Sequence, residues 1–232
     1  MTTLPPGQHE SAVFHRFGLT HFAKRFPRNP DSPVLRLCGA VSNAQDIVDP
    51  LAGLPRVSQV SDFHCVTTWS VRGLVWEGVR FRDVFERVVI PRSAPHDSAT
   101  LVALKAQDGA RTGLPLEDLL DPSVLVADRL NGEPLSVDHG APLRLVAPRH
   151  YGYKSVKSLR ELCFVSPDAG YRTSAFSFMD HPRARVDLEE RGRVLPGALL
   201  RVLYRPLIRG TVRRFAEASR QREGAQQGKP AH

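Results

Sequence analysis

Asp62-Phe63-His64-Cys65-Val66-Thr67-Thr68-Trp69-Ser70 is the stretch on which the reading of this chain turns. It sets one cysteine at the end of a strand-like run, Val57 to Cys65, and follows it with two threonines, a tryptophan and a serine. A cysteine that only fills a core usually has aliphatic neighbours at alternating positions. Small hydroxyls beside a large aromatic suit a pocket wall. A thiolate is a soft metal ligand, but free cysteine is also a common buried apolar residue. The local sequence leaves both readings open, and the second half of the pattern lies far downstream, at Gly140 to Ser158.

Upstream, Val34 to Val41 alternates as a strand, with Cys38 expected in the core. Residues 1–33 hold Pro5, Pro6, Pro27, Pro30 and Pro33, and also Phe14, Phe17, Phe22 and Phe26. So many aromatics predict an arm packed over the domain. Downstream, Trp76-Glu77-Gly78 reads as a turn into a short helix, Phe81 to Val88, and Pro91 to Asp97 as a loop. Leu101 to Ala106 reads as a strand closed by Asp108-Gly109, and Pro115 to Leu120 as a short helix. Val124 to Arg129 with Asn131-Gly132 predicts a hairpin. Leu143 to Ala147 and Leu162 to Val165 are further strands, the latter with Cys163 in the core. Short strands, brief helices and turn-rich links predict a mixed α+β domain rather than a doubly wound sheet.

At 232 residues and 41% hydrophobic, the chain can bury a full core. It has no apolar run of membrane-spanning length, and Met1 to Glu10 lacks a secretory or twin-arginine pattern. Three widely spaced cysteines without a CxxC pair argue against a zinc ribbon. They predict free thiols and a cytoplasmic address. The net charge of +8 admits phosphate-bearing ligands, nucleic acid or an anionic membrane as partners.

Gly140-Ala141-Pro142-Leu143-Arg144 leads into Arg149-His150-Tyr151-Gly152-Tyr153-Lys154-Ser155-Val156-Lys157-Ser158. Arg144, Arg149, Lys154 and Lys157 are cations, while Gly152 and Ser155 permit tight backbone with its N–H groups turned into one concavity. Loops of this composition bind phosphate through backbone donors and cations. The Gly and Lys spacing is not that of a P-loop, and a basic solvent loop has the same composition.

Taken together, Cys65-Val66-Thr67-Thr68-Trp69-Ser70, Trp76-Glu77-Gly78, Asn131-Gly132, Gly140-Ala141-Pro142-Leu143-Arg144 and Tyr151-Gly152-Tyr153-Lys154-Ser155-Val156-Lys157-Ser158 occur in a familiar order. They resemble the molybdopterin-binding domain of the sulfite oxidase family. The likeness is to the bacterial branch that includes the catalytic subunit of the protein-methionine-sulfoxide reductase, and it covers about residues 34 to 166. The resemblance implies an α+β, mixed-sheet domain over 34–167, between the arm at 1–33 and a C-terminal extension at 168–232. It implies that Cys65 is the catalytic residue and the one protein ligand to molybdenum, the rest coming from the pterin dithiolene and oxygen. Arg144 matches the family's cofactor-binding arginine, and Ser155, Val156 and Lys157 match its phosphate-side segment. His139 stands where the relative has an asparagine, and Ala106 about where it has a threonine. His15-Arg16-Phe17-Gly18 replaces its Asn-x-x-Tyr-Glu pattern, which makes Phe17 and Gly18 candidates for the pterin end. The implied activity is two-electron oxygen-atom transfer. Thr67 and Thr68 lack the extra arginines that true sulfite oxidases place near the cysteine, so reduction of a sulfoxide or N-oxide, free or on an oxidised side chain, is expected. The dimerisation and cytochrome domains of the animal enzymes have no counterpart in the resemblance, so electron transfer is expected to use a separate protein.

Pro196 to Ser219 reads as helical, with Pro206 opening a second segment and residues 221–232 expected to be disordered. Arg201, Arg205, Arg209 and Arg213 repeat at intervals of four. Such a helix can dock on its own domain, on an acidic electron-transfer partner, or on an anionic membrane surface. Alternative functions are a cofactor-free binding module on the same fold, sulfite-type oxidation, and nucleic-acid binding. The last calls for aromatics among the cations, and around Arg201 to Arg214 only Tyr204 qualifies.

Overall fold

The computed structural model describes residues 3–28, 32–166, 169, 171, 173, 174 and 179–227. Eleven strands form two sheets among these residues. The first sheet contains β1 (His9–Glu10), β4 (Arg56–His64), β5 (Trp69–Arg80), β8 (Leu125–Leu130), β9 (Glu133–Pro134) and β10 (Arg144–Val146). The second runs in the order β3 (Gln45–Val48), β2 (Val34–Gly39), β11 (Leu159–Val165), β6 (Leu101–Ala106), β7 (Arg111–Pro115). Most neighbours are antiparallel; β2 with β11 and β1 with β5 are parallel. This is the mixed α+β architecture that the short, turn-bounded runs predict.

The core lies between the sheets. Leu35 and Leu37 of β2, Val102 and Leu104 of β6, and Leu162 and Phe164 of β11 face it from the second sheet. Val79, Val126 and Leu145 face it from the first. Strand β8 is buried on both sides. Leu125 and Ala127 point the other way, into a smaller cluster around Trp69 and Trp76 that Phe14 and Phe17 of the N-terminal arm cover. The arm therefore packs on the domain.

Trp76-Glu77-Gly78 is not a turn. It lies inside β5, at a register shift between Glu77 and Gly78 where β5 meets β8. A Cβ on Gly78 would come within 2.2 Å of the Val126 carbonyl oxygen and 2.6 Å of Ala127 Cα. The glycine serves a bulge with close backbone approach, which a sequence reading confuses with a turn. The following helix is also longer than expected. It runs from α1 (Phe81–Val84) through a π-helical segment (Phe85–Val89) to α2 (Ile90–Ser93), entering the predicted loop and stopping at left-handed Ala94, φ 42°. Beyond α3 (Leu116–Leu119), the extension contributes α4 (Gly197–Tyr204) and α5 (Leu207–Gln227), parted near Pro206. Residues 221–227 are helical, not disordered, and 228–232 lie outside the described residues.

Cys38 and Cys163 are not core residues. They lie in direct register on β2 and β11, both half-buried, on the face opposite Leu37 and Leu162. The neighbouring thiols act on each other, which pulls the Cys163 thiol below its usual range and pushes Cys38 above it. Glu161 is beside them, its carboxylate 3.4 Å from Lys105 Nζ. All three cysteines are free. Thiol counting on denatured protein is expected to find three, and mild alkylation of the folded protein is expected to label Cys163 first and buried Cys65 last. Since both outer thiols are half-buried, Cys38→Ala or Cys163→Ala is expected to lower stability by no more than about 0.5 kcal/mol in urea denaturation.

Candidate active site

Cys65 occupies the turn between β4 and β5. Its N–H donates to the Trp69 carbonyl (2.8 Å) and its carbonyl accepts from Thr68 N–H (3.1 Å). Thr68 is buried at φ 87°, a left-handed conformation that a β-branched residue rarely adopts. Local strain of this kind is held by surrounding contacts, and three are visible. Gln8 Nε2 of the arm donates to the Cys65 carbonyl (3.1 Å). Ser70 Oγ donates to Gln8 Oε1 (2.9 Å) and so accepts from His64 Nδ1 (2.8 Å), which places the imidazole proton on Nδ1. Arg191, fully buried, donates to the carbonyls of Val66 (2.6 Å) and Pro6 (3.0 Å).

The thiol itself is 6% exposed and 3.2 Å from Thr67 Oγ1. Burial pushes it up to about 11, with the Thr67 hydroxyl pulling the other way. It lines a cavity of about 430 Å³. On one side the arm supplies Phe14, Phe17 and Gly18 to the wall; on another, Tyr204, Leu207 and Phe215 of the extension do so. His139, Arg144, Ser155, Val156 and Lys157 complete it, with Ala106 and Thr112 from the second sheet. The fold thus brings Cys65 and eight of the nine other sequence-predicted residues to one cavity.

The basic loop is held by backbone approach. Gly152 N–H donates to the His64 carbonyl (2.7 Å), one residue before Cys65. A Cβ on Gly152 would lie 2.0 Å from Phe63 Cζ, so any side chain there would displace the Phe63 ring. Leu145 N–H to the Val156 carbonyl (2.9 Å) and Leu159 N–H to the Leu143 carbonyl (2.7 Å) fasten the other end. Gly140, at φ 113°, sits against Lys157 and Arg144, with Lys157 Cα 3.1 Å from where a Cβ would be.

Arg144 is 2% exposed. Nη1 donates to the His139 carbonyl (2.9 Å), while Nε has no partner. The guanidinium carbon lies 5.0 Å from the Trp76 ring centroid, and the rings of Phe14 and Phe63 are also near. Burial pushes its pKa down to about 9. Lys157 Nζ donates to the Phe17 carbonyl (3.1 Å), and burial, with Arg144 and then Arg16 adding like charge, pushes it down to about 7. His139 stacks on Phe14 (4.8 Å, 3°) and is pushed down to about 4 by burial, then by Arg144 and Lys157. Among the described residues, neither Arg144 nor Lys157 has a carboxylate within ion-pair distance. Two desolvated cations facing one cavity, neither of them in an ion pair, fit an anionic ligand.

Lys154 is placed elsewhere. Fully buried, it donates to the Gly113 carbonyl (2.7 Å) and pairs with Asp180 (3.2 Å). It ties the loop to β7 instead of lining the cavity, its ammonium held by the Gly113 carbonyl and Asp180. Arg149 pairs with Asp121 (3.2 Å) at the surface. The four cations of the basic loop therefore divide, and only Arg144 and Lys157 face the cavity.

The family described as the oxidoreductase molybdopterin binding domain matches residues 23–171. The chain belongs to that family. It is 41% identical over 116 residues to an uncharacterized oxidoreductase, YuiH, of Bacillus subtilis, covering 50% of this chain and 56% of that protein. It is 31% identical over 163 residues to the protein-methionine-sulfoxide reductase catalytic subunit MsrP of Xanthomonas axonopodis pv. citri, covering 61% and 50%. The chain thus spans about half the length of these curated relatives. The sulfane dehydrogenase SoxCD from Paracoccus pantotrophus shares the fold at a TM-score of 0.52 and 21% identity, over 66% of this chain and 44% of that one. The fold is the sulfite oxidase type, on the branch with the methionine-sulfoxide reductases, and the cofactor is molybdenum on molybdopterin. The cavity fits that group: a lone thiol where a cofactor supplies the other ligands, and two uncompensated cations for its phosphate.

Sequence reasoning missed Gln8 and Arg191. Both act through carbonyls, and backbone acceptors leave no residue-type signature. Arg191→Met is expected to lower stability by about 3 kcal/mol in urea denaturation, since it orphans two carbonyls and leaves the Glu189 carboxylate only its longer pair with Arg201, 3.5 Å away. It is also expected to loosen the Cys65 turn, read as slower-forming or lower molybdenum content per chain.

Proposed function

We propose that this protein is a molybdenum-dependent oxidoreductase that reduces a sulfoxide- or N-oxide-type substrate, with electrons from a separate protein. The observation that carries the reading is the single cavity joining Cys65 to Arg144 and Lys157. In this reading Cys65 holds the metal, and Arg144, Lys157 and the Ser155–Val156 backbone hold the anionic end of the pterin. When bound, the cofactor supplies two-electron oxygen-atom exchange. The protein's part is orientation and electrostatics. The His64–Ser70–Gln8 chain and Arg191 fix the cysteine turn. Aromatic rings around Arg144 exclude water and strengthen the interaction of its charge with an anionic ligand.

Substrate charge is argued from the residues flanking the cysteine. Phe63, Val66 and Thr67 line the cavity and are uncharged, as are Tyr153 and Met179. A neutral, polar S=O or N–O group suits that wall better than a small dianion. Supporting the same reading, the MsrP relatives carry a methionine-sulfoxide reductase name. The test supplies electrons from reduced viologen dye to cofactor-loaded protein. Dye oxidation on adding methionine sulfoxide or trimethylamine N-oxide is expected. Sulfite-dependent ferricyanide reduction, with no turnover of either oxide, would show the opposite direction. Activity from protein lacking molybdenum would refute the metal reading outright.

A further inference from the structure

Of the twelve exposed large hydrophobic residues among those described, seven fall between Leu188 and Leu207. Helix α4 shows why. Leu200 and Tyr204 point inward, 1% and 4% exposed. The opposite pole, which a surface helix normally fills with polar residues, holds Leu199, Val202 and Leu203 at 47%, 65% and 53% exposure. These three are spaced i, i+3, i+4 and form one stripe. Val194 at 70% precedes them and Leu207 at 52% follows. From Arg191 to Ala216 there are seven arginines and no Asp or Glu. Arg205, Arg209 and Arg214 are exposed and have no carboxylate within ion-pair distance among the described residues.

We propose that the outer face of α4 and the start of α5 is a docking surface for an anionic lipid bilayer. No helix of the described residues is long and apolar enough to cross a membrane, so the contact is interfacial. The convex aliphatic pole enters the boundary between headgroups and acyl chains, and the flanking guanidiniums reach lipid phosphates. Charge argues against a second copy of this chain. An isologous contact would set these arginines against their own copies with no acid in the segment to pair them. Charge alone would also suit an acidic protein, but that leaves the outward Leu and Val stripe unaccounted for. Tyr204 and Leu207 also line the cavity, so docking holds that wall of the site toward the bilayer.

The test is co-sedimentation of the full-length, cofactor-loaded protein with phosphatidylcholine vesicles, with and without phosphatidylglycerol. Binding is expected to be at least ~10-fold tighter with the anionic lipid and to weaken as salt is raised. The variant Leu199→Gln/Val202→Gln/Leu203→Gln changes only exposed side chains that do not line the cavity. It is expected to keep its thermal melt and dye-linked turnover and to lose vesicle binding at least ~10-fold. Absence of binding to phosphatidylglycerol vesicles overturns the proposal, as does equal binding to both vesicle types or full binding by the triple variant. A dimer that the triple variant dissociates, or capture by polyglutamate without vesicle binding, overturns it in favour of a protein partner. None of these outcomes depends on the proposed substrate.

Discussion

Replacing Cys65 with serine is expected to abolish turnover, by at least ~100-fold, and to lower bound molybdenum well below one atom per chain. The thiol is the one cysteine lining the cavity among the described residues, 6% exposed, with its backbone clamped on both sides by Trp69 and Thr68. Serine is close to isosteric and keeps the hydrogen bond to Thr67, so the turn should survive. What changes is ligand softness and basicity: an alkoxide binds a metal already held by sulfur quite differently from a thiolate. Burial has pushed the free thiol up to about 11, so an empty site holds a neutral thiol, and metal binding must displace its proton. Loading is accordingly expected to release a proton and to weaken as pH falls. Metal content by mass spectrometry, with a circular dichroism melt as control, separates a lost ligand from a lost fold. A serine variant with full metal and full activity would move the ligand elsewhere. The outer thiols supply the contrast: Cys38→Ala and Cys163→Ala should retain molybdenum, since both lie on the far face of the second sheet.

Arg144→Met and Lys157→Met should move cofactor retention and apo stability in opposite directions. Each charge-assisted hydrogen bond to a phosphate contributes roughly 1.5–3 kcal/mol, so each variant is expected to hold the cofactor about 10- to 100-fold less tightly. In protein made without cofactor, the same charges are buried without a counter-ion, which costs stability. Arg144→Met is therefore expected to raise the apo melting temperature while lowering cofactor content. The pH dependence has a definite sign. Both cations have folded pKa values below their unfolded ones, about 9 against 12.5 for Arg144 and about 7 against 10.5 for Lys157. The unfolded chain then binds more protons, so apo stability rises as pH increases from about 7, by no more than about 1.4 kcal/mol per pH unit for each titrating group. Lys157 is half-buried, so solvent screening reduces its share. An anionic ligand restores the charged form, and the loaded protein should lose that slope. Urea denaturation of apo and loaded protein across this range measures both. A fall in apo stability in Arg144→Met would mean the arginine is structural.

Much of the site was legible because its chemistry is carried by residue type. A thiol among hydroxyls, and Gly, Ser and cations around Tyr151 to Ser158, offer a soft-ligand turn and an anion loop, and the family resemblance favours those readings over a core cysteine and a solvent loop. The strands β2 and β4 were legible too, since alternation at Val34 to Gly39 and Val57 to His64 follows directly from burying one face. Failures came where one residue type serves two physical purposes. Gly78 admits both a turn and a close strand approach, and only the carbonyl of Val126 beside it decides. Cys38 and Cys163 have the apolar neighbours of core residues, yet strand parity turns both outward. Lys154 and Lys157 are three residues apart in one basic run; one closes a buried ion pair with Asp180, the other faces the cavity.

By itself, then, the amino-acid sequence determined the kinds of groups available and their spacing along the chain: one soft ligand, one anion-binding loop, and a basic apolar tail segment. Those are local properties, set by side-chain chemistry and by the period of hydrophobic burial. Which cations would be left without counter-charge was decided only in three dimensions, because Asp180 and Asp121 come from distant segments to neutralise Lys154 and Arg149. The same holds for the clamp on Cys65. Gln8 and Arg191 reach its turn across 57 and 125 residues and bond to carbonyls that every residue possesses. Backbone acceptors are identical along the chain, so only the packing of arm, hairpin and extension selects the ones that are held.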